Sequence, residues 1–434
     1  MKIFLAVAMC KTLYFIGKKM GKGSSLPGQL ALKIFPNILK KLKLPKIIIA
    51  VTGSNGKTTT AQLIASAFER LGKNVAHNKE GSNQTEGIAT LLLRTATLTG
   101  KVKADVVVME CDERYAEKIF REVKPTTILV TNLCRDQLTR NGHHEFILSC
   151  IEKAIAAVDT SYNLVLNADD PYVSTLSVQK NLYFGVDIKQ SAPVLGIYDD
   201  GVYCPACKSK MAYTTRIIAH YGNYACSSCE HKRNTPQIEA VDFDDETGKL
   251  TLKSGESLKL SQHSLTAIYN YTAAIAAMAA EGIEEANAAK ALDGVKLTGG
   301  RTAIIKLGGK DCQLLIAKHE NSLAYNASLA WIKGQNKPCT VIILVDAISR
   351  KYYTTETSWL WDIDFELLGD ETVEQVVLVG RYADELSARF AMTQIDKDKI
   401  VQIRDAQKLS EHIEKTDTEK IYAVTCFADK EKLH

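Results

Sequence analysis

The apolar residues of the first 170 positions fall into short continuous runs, each followed by a polar cluster. Such runs occupy 47–51, 104–109, 126–130 and 164–166, and helical patterns of apolar residues separate them. Continuous runs rich in β-branched residues are typical of strands buried on both faces of a parallel sheet. Alternation with helices predicts a doubly wound α/β fold whose site lies at the carboxyl edge of the sheet.

The first of these strands leads into the stretch VTGSNGKTTT at 51–60, which opens an amphipathic helix. Glycines allow close approach of the backbone to a phosphate, and N–H groups at a helix N-terminus bind it. The alternative is a glycine-rich turn that only caps a helix. We predict a nucleotide phosphate loop made of Gly53, Ser54, Asn55, Gly56, Lys57, Thr58 and Thr59.

Carboxylates and amides at the neighbouring strand ends complete the predicted site. Lys57 is the candidate for the terminal phosphates, and Thr58 with Glu110 the candidate pair for Mg²⁺. Asp112 and Glu113 add negative charge nearby and are interpreted as solvated residues at a helix start, with a role as further Mg²⁺ ligands as the alternative. Asn167 and Asp170 of the turn NADDP are placed against the nucleotide, with helix capping as the alternative.

Two CxxC pairs separated by eighteen residues mark an insertion at about 200–235. In a chain with this spacing they predict a zinc ribbon rather than a redox dithiol. Since protein would supply all four ligands, no position is open for substrate and the zinc is structural. The predicted ligands are Cys204, Cys207, Cys226 and Cys229.

A second set of strand and helix patterns follows the stretch LTGGR at 297–301. We predict three parts: an N-terminal extension at 1–45, a central domain at 46–298 that contains the ribbon, and a smaller α/β domain at 299–434. The extension is interpreted as an amphipathic helix that either packs on the body or lies against the inner face of a membrane.

Composition narrows the class of protein. The chain of 434 residues carries 54 basic and 50 acidic residues, a formal charge of +4, which gives nucleic-acid binding no global electrostatic support. Seven of the eleven cysteines are scattered through apolar or helical contexts. The sequence therefore favours a reduced, cytoplasmic protein, with peripheral membrane contact left open.

The short TGxxGKT spacing resembles the ATP loop of the Mur ligases and their folylpolyglutamate synthase relatives. The whole chain is more similar to the MurT family, the Mur-ligase-like subunits of lipid II isoglutaminyl synthase. The stretches that carry this resemblance include GKGSSLPGQLALKI, VTGSNGKTTT, HNKEGSNQTEGIAT, VVVMECDE, TNLCRDQLTRNG, LNADDP and the CPAC…CSSC insertion.

The resemblance implies an ATP-dependent ligase with a Mur-type central domain and a MurT-type C-terminal domain. It implies transfer of the γ-phosphoryl group of ATP to the α-carboxylate of D-glutamate in the lipid II stem peptide. Attack of ammonia on that acyl phosphate gives D-isoglutamine. The ammonia is expected from a GatD-like class I glutamine amidotransferase, whose catalytic pair is completed by an acidic residue of the ligase subunit.

The second half of the chain departs from the family pattern, which has KNPAGxN where this chain reads KHENSLAYN at 318–326 and a different motif where this chain has 345–362. The family sequence GRxE is reduced to Gly300-Arg301 without its acid, and the paired Asn motif before the alanine-rich helix survives only as Asn270. Arg301 and Asn270 remain candidates for nucleotide binding. Glu356 stands where an Asp is expected to orient the partner's histidine, and Asp346 is the competing candidate.

These departures leave three functional hypotheses open. The first is amidation of lipid II with a glutaminase partner. The second is an amide ligase of the same mechanism that acts on another carboxylate. The third is a protein that binds ATP and serves as a scaffold without turnover.

Overall fold

A computed structural model describes residues 2–19, 24–136, 142–176, 181–188, 200–297, 302–318, 320–335, 337–346 and 357–433. The chain divides into two compact units. The first comprises Met1–Cys134, His144–Ser191 and Gly201–Leu297, and the second comprises Arg135–His143, Ala192–Asp200 and Thr298–His434. The domain limits predicted at 45 and 298 stay a prediction.

The first unit is built on a nine-stranded sheet in the order β11-β10-β9-β6-β5-β4-β1-β3-β2. The pairings from β2 through to β9 are parallel, and β10 and β11 add an antiparallel edge. The strands are β1 Ile47–Thr52, β2 Val75–His77, β3 Val106–Glu110, β4 Thr127–Val130, β5 Asn163–Asn167, β6 Asn181–Val186, β9 Ile238–Asp244, β10 Lys249–Leu252 and β11 Ser257–Lys259.

Helices cover this sheet, and the insertion adds a separate antiparallel hairpin of β7 Met211–Ile218 and β8 Tyr221–Cys226. The central strands β1, β3 and β4 are buried almost throughout, which explains their continuous apolar runs. The helices are α1 Lys2–Lys19, α2 Leu26–Ile34, α3 Lys57–Arg70, α4 Thr85–Thr95, α5 Glu113–Val123, α6 His144–Ala156, α7 Leu265–Ala280 and α8 Glu285–Leu292.

The predicted N-terminal helix forms, and it packs on α2 and α4. Its buried face consists of Ala6, Val7 and Cys10, which join the main hydrophobic core. Gly28 makes the contact of α2 with α4 possible, because a Cβ there would lie 2.0 Å from the carbonyl oxygen of Glu86. In the part of the chain that the structure describes, no helix has both the length and the apolar character needed to cross a membrane.

The second unit contains a six-stranded sheet in the order β12-β13-β17-β14-β15-β16. Only β12 runs antiparallel to its neighbour. Its elements are β12 Thr302–Leu307, β13 Lys310–Ala317, α9 Ser322–Gly334, β14 Cys339–Leu344, β15 Val373–Val379, α10 Ala383–Phe390, β16 Ile400–Ile403, α11 Leu409–Glu414 and β17 Lys420–Cys426.

The two sheets confirm the predicted α/β fold class with a parallel central sheet, a cysteine-rich insertion and a second α/β sheet. The register explains why the site lies at the carboxyl edge. Val51 pairs with Glu110, and Thr52 pairs with Val130, so the residues after β1, β3 and β4 meet around one turn.

A buried histidine at the end of β2 makes stability depend on pH. His77 is 4% exposed, and neither ring nitrogen has a hydrogen-bond partner among the described residues. Burial, with the charges of Lys79 and Arg94, lowers the pKa of His77 from 6.5 to about 4. Between these values the unfolded chain binds a proton that the folded chain does not, so stability falls as the pH decreases through this window.

We expect the His77→Leu variant to lose this pH dependence. Its free energy of unfolding should fall less than that of the wild type between pH 6.5 and 4, by up to about 3 kcal/mol. Urea unfolding at several pH values measures the difference. The exposed His143→Leu serves as the control, and parallel curves for wild type and His77→Leu would contradict the assignment.

Candidate functional site

The turn between β1 and α3 depends on two glycines with left-handed backbone. Gly53 has φ 119° and Gly56 has φ 81°. A Cβ on Gly53 would lie 2.4 Å from Thr131 Oγ1, and one on Gly56 would lie 2.2 Å from Asn270 Oδ1. Both positions therefore exclude side chains for two separate reasons, the backbone angle and the available space.

The segment after β4 holds this turn in place. The carbonyl oxygen of Asn132 accepts from Ser54 N at 2.8 Å, and Asn132 Oδ1 accepts from Asn55 N at 2.9 Å. Thr131 Oγ1 donates to the carbonyl oxygen of Asn55 at 2.7 Å, and the Cys134 N–H donates to Ser54 Oγ at 3.1 Å. The polar cluster predicted at this strand end thus organises the backbone of the loop.

Lys57, the first residue of α3, forms a buried ion pair. Its Nζ lies 2.6 Å from Glu113 Oε1, and the two side chains are 9% and 6% exposed. Nζ also donates to the carbonyl oxygen of Gly53 and, at 3.3 Å, to that of Ser54. The cation is therefore held at the turn by a carboxylate that the sequence led us to interpret as a solvated helix-start residue.

Glu110 is the last residue of β3 and is 3% exposed. Asn83 Nδ2 donates to Glu110 Oε1 at 3.1 Å. The side chain of Asn78 holds the backbone of Glu110: Asn78 Oδ1 accepts from the Glu110 N–H at 2.9 Å, and Asn78 Nδ2 donates to the Glu110 carbonyl oxygen at 3.0 Å. The other carboxylate oxygen of Glu110, Oε2, is buried and has no hydrogen-bond partner in the described part of the chain. A buried carboxylate oxygen of this kind fits a cation ligand.

The hydroxyl-bearing residues of the loop occupy the first turn of α3. Thr58 is exposed, Thr59 is half-buried and Thr60 is buried. Asn270 of α7 approaches this turn, since Thr60 Oγ1 donates to its Oδ1 at 3.3 Å. The structure thus brings the candidate Asn270 against Gly56, although 214 positions separate them in the sequence.

Asn167 and Asp170 lie after β5 and bond to the protein itself. Asn167 Nδ2 donates to the carbonyl oxygen of Thr131 at 3.1 Å. Asp170 Oδ2 accepts from Leu133 N at 2.7 Å, and its Oδ1 accepts from Tyr172 N at 2.9 Å. Both side chains support the segment that holds the phosphate loop, and their contact with nucleotide stays a prediction.

The four cysteines of the insertion converge. Their sulfur atoms all lie within 4.8 Å of one another, with 3.8 Å between Cys204 and Cys229 and 3.4 Å between Cys207 and Cys226. Four thiolates at about 2.3 Å from a tetrahedral zinc ion are about 3.8 Å apart, so this arrangement fits such an ion. His231 is not in the cluster and bonds the carbonyl oxygen of Pro171 instead, at 3.0 Å.

The insertion is anchored to the turn after β5. Arg233 donates to Asp169 Oδ1 at 2.7 Å, and Gly222 N donates to the carbonyl oxygen of Asp169 at 2.9 Å. Burial raises the pKa of Asp169 to about 6, which still leaves the carboxylate ionised beside Arg233 at neutral pH. The Asp169-Asp170 turn therefore contacts both the insertion and the segment that holds the phosphate loop.

Asp346 follows β14 in the second unit and has partners for both carboxylate oxygens. Oδ1 accepts from Arg381 N at 2.7 Å, and Oδ2 is paired with Lys432. Neighbouring groups thus hold the Asp346 carboxylate in place, and its role toward a histidine of a partner stays a prediction.

A second group in this unit centres on the buried Asp136. Its carboxylate lies 2.5 Å from Lys318 Nζ and accepts from Asn321 Nδ2 at 2.9 Å. Lys318 belongs to the stretch that replaces the family sequence KNPAGxN. The remaining candidates, Arg301 and Glu356, lie outside the described residues.

Three contacts were not anticipated from the sequence. They are the pairing of Glu113 with Lys57, the bond of Asn83 to Glu110 and the support of the loop by Asn132. Each joins residues more than 25 positions apart, so no local pattern reports them. The only available signal was the presence of these residues in polar clusters at strand ends.

Family models match two parts of the chain. The Mur ligase middle domain matches residues 51–192, and the MurT ligase C-terminal domain matches residues 319–428. Together these ranges cover more than half of the 434 residues.

Relatives match over nearly the full length. The MurT subunit of lipid II isoglutaminyl synthase (glutamine-hydrolyzing) from Streptococcus pneumoniae is 28% identical, over 98% of this chain and 95% of that protein. The corresponding subunit from Staphylococcus aureus is 28% identical, over 94% and 92%.

Solved structures share the fold. A pseudomurein peptide ligase type C from Methanothermus fervidus aligns with a TM-score of 0.71 at 19% identity, over 92% of this chain and 79% of that one. MurF ligase from Thermotoga maritima, solved in complex with ADP, aligns with a TM-score of 0.63 at 14% identity, over 93% and 82%.

The central sheet, its phosphate loop and the matched middle domain define the class of this protein, an ATP-dependent amide ligase of the Mur type. The C-terminal match and the full-length relatives narrow the class further. The chain belongs to the MurT family.

The buried Lys57–Glu113 pair generates a test of stability. Replacing Lys57 by Met leaves Glu113 as an uncompensated buried carboxylate, and we expect a loss of about 3 to 5 kcal/mol in the free energy of unfolding. In the double variant Lys57→Met with Glu113→Gln most of this loss should be recovered, because the unpaired charge is gone.

Chemical denaturation of the four proteins of this double-mutant cycle measures the coupling. Lys118→Met, an exposed lysine on the same helix as Glu113, is the control and should change stability little. Additive losses in the double variant would show that the pair does not form.

Proposed function

We propose that the protein is the ligase subunit of an enzyme that amidates lipid II. In this proposal it phosphorylates the α-carboxylate of the D-glutamyl residue of the stem peptide, and ammonia then displaces the phosphate to give D-isoglutamine. The single observation that carries the proposal is the match to MurT subunits over nearly the whole chain, which extends through the cysteine insertion and the C-terminal unit.

Activation is needed because an ionised carboxylate is a poor acceptor for an amine. ATP supplies a phosphoryl group that turns one carboxylate oxygen into part of a leaving group. Lys57 is assigned to the charge on the phosphates, once it has exchanged Glu113 and the loop carbonyls for them. The left-handed backbone at Gly53 and Gly56 shapes the turn that leads into the N-terminus of α3, and N–H groups at a helix N-terminus bind phosphate.

Thr58 and Glu110 are proposed as the ligands of Mg²⁺. The unpartnered Oε2 of Glu110 supports this role, and Asn83 and Asn78 fix the carboxylate and the backbone of Glu110 in position. When bound, the ion neutralises phosphate charge during transfer. Asn270, Asn167, Asp170 and Arg301 stay candidates for contacts to the nucleotide.

Ammonia is proposed to come from a separate glutaminase subunit. The names of the MurT relatives describe glutamine-hydrolyzing enzymes, while the predicted features of this chain account only for the ligase half of such a reaction. Either Glu356 or Asp346 would complete the catalytic group of that partner. Asp346 accepts from the Arg381 N–H and pairs with Lys432, and both acidic residues stay candidates for this role.

A second candidate is an amide ligase with the same mechanism that acts on another carboxylate. The observation in its favour is the altered sequence after β13 and β14, where family residues are replaced in KHENSLAYN and in the segment 346–362. The phosphate loop keeps the sequence that the resemblance requires. The two candidate functions therefore differ in the carboxylate that is amidated and not in the reaction mechanism.

Incubation of the protein with lipid II, ATP and an ammonia source tests the proposed function. With a GatD-like glutaminase and glutamine, or with ammonium alone, we expect one ADP for each stem peptide whose acid is converted to an amide, detected by mass spectrometry. Glu110→Gln should lower ADP formation at least about tenfold, because a neutral amide is a weak Mg²⁺ ligand.

The control for Glu110→Gln is Glu122→Gln, a half-buried glutamate of α5 that also has one carboxylate oxygen with no hydrogen-bond partner among the residues that the structure describes. It should leave turnover unchanged. Formation of ADP with a different carboxylate, but not with lipid II, would move the assignment to the second candidate. Failure to form ADP with any carboxylate would contradict both.

The cysteine cluster is proposed to bind a structural zinc ion. Removal of the ion by Cys204→Ser should destabilise the insertion, because structural zinc contributes folding free energy. Since Arg233 and Gly222 of the insertion bind the turn that supports the phosphate loop, the KM for ATP should rise more than kcat falls.

Metal analysis, thermal unfolding and steady-state kinetics of Cys204→Ser measure these effects. Cys150→Ser, a half-buried cysteine of α6 outside the cluster, is the control. One bound zinc per chain in the wild type is expected. Full activity and unchanged thermal stability without zinc would contradict a structural role.

A further inference from the structure

The helix α1 carries apolar residues on all sides, yet it is buried on only one. Ala6, Val7 and Cys10 are fully buried, whereas Phe4, Leu5, Phe15 and Ile16 are between 48% and 65% exposed. A surface helix normally places polar residues on the side that faces water, and a helix that is apolar all round is normally buried. The exposed side of α1 therefore has the composition of a contact surface.

The four exposed residues lie on one face. At 3.6 residues per turn, positions 4, 5, 15 and 16 fall within about a third of the helix circumference. Ala8, Thr12 and, in the last turn, Lys19 lie between them on the same face. We name Phe4, Leu5, Ala8, Thr12, Phe15 and Ile16 the α1 outer face, and Lys19 stands at its C-terminal end.

Lysines border this face. Lys11 and Lys18 fall along one edge of it and Lys2 beyond the other, and all three are exposed. The ammonium group of Lys19 lies 5.0 Å from the centre of the Phe15 ring. Long lysine side chains next to an apolar face can extend their charges to a polar boundary while the face itself is buried.

The charge of the whole N-terminal segment has one sign. The first 46 residues contain ten lysines and no acidic residue, whereas the rest of the chain carries 44 basic and 50 acidic residues. The near balance of the full chain thus hides a segment of +10 and a remainder of −6. Tyr14 donates to Glu80 at 2.8 Å, which brings one carboxylate close to α1.

We propose that the α1 outer face is a docking surface for an anionic lipid bilayer. Its apolar side chains would enter the boundary between headgroups and acyl chains, and the lysines would pair with anionic headgroups. The inference stands on the composition and exposure of α1 and does not depend on the proposed amidation. It adds to that proposal a reason why the active site would meet a substrate that is anchored in a membrane.

Two other occupants fit less well. A second copy of the chain would bring two lysine-bordered faces together, and like charges opposed across a symmetric interface are unfavourable. The central parts of protein interfaces are depleted in lysine, and all nine described lysines of this segment are exposed. An anionic bilayer matches both the apolar face and the charge.

Flotation of the full-length protein with phospholipid vesicles tests the proposal. Vesicles of phosphatidylcholine with phosphatidylglycerol should carry the protein, vesicles of phosphatidylcholine alone should carry much less, and added salt should weaken binding. The double variant Phe15→Ser with Ile16→Ser, and separately Lys11→Glu with Lys18→Glu, should lower binding at least about tenfold.

The control pair is Phe146→Ser with Lys290→Glu, because these residues are equally exposed but lie on other helices. It should bind vesicles like the wild type. Absence of wild-type binding to phosphatidylglycerol vesicles, or equal loss in the control, would overturn the proposal. The Phe15→Ser/Ile16→Ser variant should still amidate lipid II that is solubilised in detergent. Loss of vesicle binding with amidation retained then concerns the docking surface alone, whereas loss of amidation by the wild type concerns the proposed function.

Discussion

The site of this protein depends on a turn whose backbone is held from outside. The loop from Gly53 to Gly56 has left-handed residues at both ends, a conformation that has no repeating hydrogen bonds of its own. The main-chain and side-chain groups of Asn132 supply the bonds that it lacks. Asn167 and Asp170 in turn fix the segment around Asn132, so the carboxyl ends of three neighbouring strands form one hydrogen-bonded layer under the loop.

The fold could be predicted where a residue pattern is local. Continuous apolar runs identified β1, β3, β4 and β5, and spacing alone identified the cysteine cluster. The strands β6 and β16 and the helix α8 were not predicted, because segments of 6, 4 and 8 residues are too short to show a clear periodicity and depend on neighbouring elements for their order. The helix α7 begins at Leu265, directly after Ser264, which caps it by accepting from Ala267 N.

The sequence predicted which polar clusters form the site, but it did not predict which side chains within them contact each other. Lys57 and Glu110 were recognised because each ends or follows a strand. The pairing of Lys57 with Glu113, the first residue of α5, depends on the direction in which α5 leaves the sheet, which no local pattern reports. The C-terminal candidates remain less defined, since Asp346 already has partners and Glu356 lies outside the described residues.

The separation of charge along the chain has a consequence for how the molecule approaches a surface. A negatively charged surface attracts the first 46 residues, which carry +10, and repels the remainder of the chain, which carries −6, so the formal charge of +4 understates how strongly the two parts differ. Attraction of this kind acts over about one Debye length, roughly 10 Å at 0.1 M salt, and it weakens as the ionic strength rises.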